Sequence, residues 1–181
     1  MKIETSTVTK LVLSELERLD PVTVILEDLG PNQGKMIIEC YGKSWSTYWG
    51  GMGGTLMDFL ARVSAEYIAN RMWDHCQSQT LHDFEAFEVA AKRKVIDDRR
   101  KRLAHKDEAR DAWDEIECRF PENFHEAHAC GGFMRRVLVV LFGDEWWYAV
   151  PAKINPEYAY LIRVIEAVKT GVAEYAKGGE A

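Results

Sequence analysis

Through the first fifty residues the apolar positions come in short blocks that alternate with polar ones. "VTKLVL", "VTVILED" and "KMIIECYGKSW" are rich in β-branched and aromatic residues, the composition that suits a pleated, half-buried surface. Asp20-Pro21 and Gly30-Pro31-Asn32-Gln33-Gly34 separate them with turn chemistry. Connections this short predict an antiparallel meander over residues 1–50, because parallel neighbours need a crossover. Read as one long strand, the third block places Ile37, Glu39, Tyr41, Lys43, Trp45 and Trp49 on one face.

After four glycines the period lengthens. Leu56, Phe59, Leu60, Val63, Tyr67 and Ile68 fall at helical spacing, with Thr55 placed as N-cap, which predicts a helix over 55–73. A second helical pattern runs over 81–117, where Val89, Ile96 and Leu103 recur seven apart and charge dominates. Unbroken, it spans roughly 55 Å at 1.5 Å per residue. That exceeds the roughly 40 Å of a compact domain of this size. It therefore projects as an arm, breaks, or pairs in a thin coiled-coil seam, with a second copy as one possible partner. Helical segments at 124–142 and 156–177 complete a helical C-terminal part (124–177); the last carries the core stripe Tyr158, Leu161, Ile162, Ile165, Val168, Val172 and Tyr175. Strands first and helices afterwards predict a single α+β domain: an N-terminal antiparallel β-meander packed on helices, a long charged helix and an amphipathic C-terminal helix.

Composition narrows the class. No apolar run nears the ~18 residues of a membrane span. "MKIETSTVTK" lacks the apolar core of a secretory signal. Four dispersed cysteines without a CxxC pair suit a reducing compartment. A cytoplasmic protein with no membrane association is the expectation. The formal net charge of −6 disfavours general nucleic-acid binding, yet residues 92–106 hold eight basic residues against Asp97 and Asp98.

Three constellations are candidates for function. In "CYGKSWSTYWGGMGGTLMDF", bare backbone at Gly51, Gly53 and Gly54 precedes a helix, Trp45, Tyr48 and Trp49 offer stacking surfaces, and Lys43 offers a cation. Together these suit a nucleotide over 43–55, although the spacing matches neither a P-loop nor GxGxxG, and a flexible strand-to-helix turn explains the same residues. Cys118, His125, His128 and Cys130 are zinc-competent, with the two imidazoles at i, i+3, but "HEAH" is one residue short of HExxH. The cations of 92–106, above all Arg93, Arg99, Arg100 and Arg102, are either an ordinary solvated helix face or a docking surface for an acidic protein or phosphates. No aromatic lies between Lys92 and Lys106 to stack a base, which favours a protein partner over nucleic acid. No nucleophile, base and acid can be assembled locally, so the residues point to binding rather than catalysis.

The run "IECYGKSWSTYWGGMGG", with "LDPVTVILEDLGPNQGKM" before it, resembles a family of small accessory proteins encoded by tailed bacteriophages and prophages. The likeness covers the N-terminal third or slightly more of the chain and transfers no catalytic or binding residue. It implies a protein of the host cytoplasm that binds a host component. Inhibition of a defence or nucleic-acid-processing system, or sequestration of a nucleotide signal, are the activities such a context implies.

Overall fold

The computed structural model describes residues 1–129 and 132–178. It is α+β, and its packing separates two compact units where one domain is expected from the sequence. The first is Met1–Gln79 with the segment that begins at Asn155; the second is Thr80–Ile154.

The first unit opens with an antiparallel meander, β1 (Thr9–Leu13), β2 (Val22–Gly30), β3 (Gln33–Cys40) and β4 (Lys43–Trp49), in the order β1-β2-β3-β4. The third block is a hairpin rather than one strand. Tyr41 and Gly42 take left-handed φ values of 49° and 73°, as a two-residue turn of the primed type requires. Cys40 pairs with Lys43, Ile38 with Trp45 and Gly34 with Trp49. The turn resets side-chain parity, so Trp45 and Trp49 lie on the face of Ile38 and Cys40, not on that of Ile37 and Glu39. That face is the buried one: Val22, Val24, Leu26, Met36, Ile38 and Trp49 all belong to the core. Complete burial of a side chain such as Val24 or Ile38 contributes about 1.5–3 kcal/mol.

Helices α1 (Leu56–Arg62), α2 (Ala65–Met72) and α7 (Pro156–Gly178) cover it. Thr55 caps α1 as expected, its Oγ1 accepting from the Asp58 N–H at 3.2 Å. Asp28 of β2 accepts from the Leu56 N–H at 2.9 Å and ties the helix start to the sheet. The expected helix over 55–73 breaks in two. Val63 and Ser64 are extended, Ser64 Oγ accepts from the Tyr67 N–H at 3.1 Å, and Lys169 donates to the Val63 carbonyl. The break supplies partners to backbone groups that a helix end otherwise leaves open. In α7 the stripe of Tyr158, Leu161, Ile165, Val168 and Val172 is buried as expected, while Tyr175 is exposed.

The second unit begins and ends on a short antiparallel pair, β5 (Thr80–His82) and β6 (Ala152–Ile154). Between them lie α3 (Phe84–Arg100), α4 (Lys106–Arg119), α5 (Phe124–Ala129), α6 (Phe133–Phe142) and a 3₁₀ turn at Trp146–Ala149. The long charged helix over 81–117 is broken: α3 and α4 form a helical hairpin. The buried stripe of α3 is Phe84, Phe87, Ala91, Val95 and Asp98, and it packs with Ile116, Val137 and Leu141 among others. Val89 and Ile96 are exposed outside that stripe, at 49% and 37%, and Leu103 lies past the end of α3 at 73% exposure. The seven-residue recurrence therefore marks the outer side, whereas the inner stripe hides behind an alanine and a carboxylate.

Candidate functional site

The basic candidates gather where α3 ends. Asp83 caps the start of α3 by accepting from the Ala86 N–H at 3.1 Å, a contact that holds its carboxyl below the usual range. At the other end the Leu103 N–H reaches the Asp98 carbonyl (2.9 Å) and the Arg102 N–H reaches the Arg99 carbonyl (3.2 Å). This pair of bonds defines a Schellman stop, which places Arg102 at the position that glycine ordinarily takes. Its φ is 61°, in the left-handed region. The chain then turns, and the Glu108 carboxylate accepts from the His105 N–H at 2.8 Å to start α4.

Arg99, Arg100, Lys101 and Arg102 are all exposed at this tip, and Arg93 is exposed two turns back along α3. Among the described residues only Arg100 of these five has an ion-pair partner, Asp97 at 3.9 Å, too long and too exposed to hold it. Elsewhere on α3 the cations are engaged. Lys94 contacts both oxygens of Asp98 at 2.6 Å. Lys92 pairs with Glu88 at 2.9 Å, which raises its pKa, and lies 5.6 Å from the Trp113 ring centre. One or two cations suffice to complement the negative end of a helix dipole; four in a row exceed that need. Lys101, not singled out from sequence, belongs with the arginines, and its place in the same run was the signal available.

The glycine-rich candidates are divided. Lys43 and Trp45 line a groove of about 420 Å³ with Trp73, Asp74, Gln77 and Glu157, and Lys43 pairs with Glu157. Tyr48, Trp49, Gly51, Gly53 and Gly54 belong to the other end of β4, roughly 20 Å away at 3.4 Å per residue. There Met52 is a buried plug against Gly34. Its N–H reaches the Asn32 carbonyl at 2.9 Å and its carbonyl accepts from Arg62 at 3.0 Å. Gly53 needs its left-handed φ of 68° to leave that plug. Trp49 packs on Phe59, and its buried indole N–H has no partner among the described residues. This end is organised as a strand-to-helix turn. Trp73 and Glu157 join Lys43 only through folding, since Glu157 is 114 residues away in sequence.

Of the zinc-competent set, Cys118 is exposed on α4, His125 and His128 are exposed on α5, and Cys130 lies outside the described residues. His128 stacks near Phe124, 6.3 Å between ring centres. Among the described residues no group of three or more histidine, cysteine, aspartate or glutamate side chains is arranged to hold a metal ion.

A meander covered by three helices, with a helical unit inserted between α2 and α7, defines the class as an α+β protein with an exposed cationic hairpin tip. The chain belongs to the phage family Phage_phiTE_072, whose family model matches residues 1–174. No curated protein and no solved structure matches it. No described helix is long and apolar enough to cross a membrane.

Proposed function

We propose that this phage-family protein acts by binding a host protein, as an inhibitor of a defence or nucleic-acid-processing component, with the α3–α4 tip as its contact surface. The observation that carries the reading is Arg102, a charged residue kept at a left-handed position where glycine costs less. A charged residue at a left-handed position, beside three more exposed cations without a close ion-pair partner among the described residues, suits a surface used for recognition. The partner it fits is acidic at the point of contact. Desolvated arginine contacts carry much of the energy in such interfaces.

Reversal of Arg99, Arg100 and Arg102 to Glu tests this. The expected result is loss of the captured host protein with the folded circular dichroism spectrum retained, since all three side chains are exposed; the melting temperature falls only modestly, by the lost complement to the α3 dipole. Unchanged capture discards the tip as the contact surface. Nucleic acid is the competing occupant of 92–106. That reading requires affinity that falls steeply with salt and recovery that nuclease abolishes. A nucleotide reading retains one supporting observation, the groove with Trp45, Trp73 and Lys43. It requires tryptophan quenching by nucleotide that Trp45→Ala removes.

A further inference from the structure

A second surface of the helical unit adjoins the basic tip, sharing Asp98 and Leu103 with the end of α3. Between α3, α4 and α6 runs a groove of about 530 Å³. Its α4 wall alternates the small residues Ala109 and Ala112 with the carboxylates Glu108 and Asp111. Val140, at 79% exposure, lines its edge together with Leu103 and Phe133, both also exposed. Val140 is one of the most exposed large apolar residues of the unit, on a ten-residue helix whose neighbours Val137, Leu138 and Leu141 are buried. Nothing in the burial of α6 requires an apolar residue at that position.

The rim carries both signs of charge. Arg136 lies on the α6 side, donating to the Gly132 carbonyl at 3.3 Å and covering the Phe133 ring at 5.7 Å. Asp111 lies on the α4 side with Glu108, whose carboxylate is taken by the His105 N–H. On the α3 side Lys94 and Asp98 neutralise each other, which leaves Arg136 and Asp111, among the described residues, as the charges free to meet a partner. A protruding apolar residue on the edge of a partly apolar groove, with a free cation on the α6 bank and a free carboxylate on the α4 bank, can complement a second copy of itself under a two-fold rotation. A patch of one sign would instead call for a different partner, and two copies of a chain with net charge −6 repel unless opposite charges meet locally.

We propose that this face is the docking site for a second copy of the chain, forming an isologous dimer. Val140 of each copy enters the groove of the other, and Arg136 faces Asp111 across the two-fold. This differs from a seam along α3, and it does not rest on the function proposed for the tip.

The test is sedimentation velocity of the full chain over a concentration series, with five variants. Wild type is expected to pass from one chain to two as concentration rises. Val140→Asp, Arg136→Glu and Asp111→Arg should each weaken association at least about tenfold. All three sites are exposed, so circular dichroism should stay unchanged. The double exchange Arg136→Glu with Asp111→Arg should restore the dimer, an outcome that follows only if the two residues meet across copies. A monomer at every concentration overturns the proposal. A dimer indifferent to Val140→Asp but broken by Ile96→Asp also overturns it and moves the interface to the outer face of α3.

Discussion

Arg102→Gly separates stability from recognition at a single residue. The wild-type backbone holds Arg102 at φ 61° with both Schellman bonds formed. An L-residue in that region costs roughly 1–2 kcal/mol relative to glycine. Glycine gives back about 0.4–1 kcal/mol of this through the greater freedom of its unfolded chain. The balance favours glycine by about 0.5–1 kcal/mol, in keeping with its prevalence at this position of helix stops. For a chain of this size that is an increase in melting temperature of about 1–4 °C. Arg102→Ala is the control. It keeps the left-handed strain and removes the charge, so its melting temperature should match wild type. Both variants should bind the host partner more weakly, and by the same factor. Thermal unfolding followed by circular dichroism, paired with a binding assay, reads out both quantities. A glycine variant no more stable than alanine would refute the backbone argument. A stabilised glycine variant with undiminished binding would refute the functional one.

Further outcomes follow from the packing. Gly34→Ala places a Cβ 2.8 Å from Met52 Cε and 3.2 Å from Leu56 Cβ. The methionine tip can shift but the helix cannot, so denaturant unfolding should show a loss of about 1–3 kcal/mol. Met52→Ala alone should cost about 2–5 kcal/mol, and the double variant less than the sum, since each change relieves the other's misfit. Removing a side-chain cap with Thr55→Ala or Ser64→Ala should cost about 1 kcal/mol each, read by the same assay. Tyr160 lies 3.1 Å from Cys40 Sγ, and that hydrogen bond, then burial, pushes its phenol up from 10.0 to about 12. Because the folded pKa lies above the unfolded one, the stabilisation is complete below pH 10 and is lost as pH rises from 10 towards 12. Burial raises Tyr158 as well, so phenolate absorbance should show two late-titrating tyrosines, of which Tyr160→Phe removes one.

Some of this architecture was legible in the chain because it rests on local rules. Thr55 ahead of an apolar helical run is a cap wherever it occurs, and the spacing of Leu161, Ile165, Val168 and Val172 allows one buried face. The misreadings share a different cause. Tyr41-Gly42 turns a strand without the Asn-Gly or Asp-Gly that signals such a turn. Val63 fits the helical period yet ends α1, since Ser64 restarts the chain as a cap. The stop at Arg102 uses neither glycine nor proline, so the break between α3 and α4 leaves no punctuation. Asp98 lies inside the core stripe because Lys94 neutralises it, a compensation that hydropathy does not register. At the candidate sites, the arginine run was visible as composition, but its release from ion pairing depends on where the hairpin turns. The groove around Lys43 depends on Trp73 and Glu157, brought together by tertiary packing alone.

The most direct test of the central claim is affinity capture from nuclease-treated host lysate, with wild type beside the Arg99, Arg100 and Arg102 triple reversal to Glu. A host protein should be retained by wild type after nuclease treatment and absent from the reversed variant. The same protein on both, or none on wild type once nucleic acid is removed, would contradict that claim.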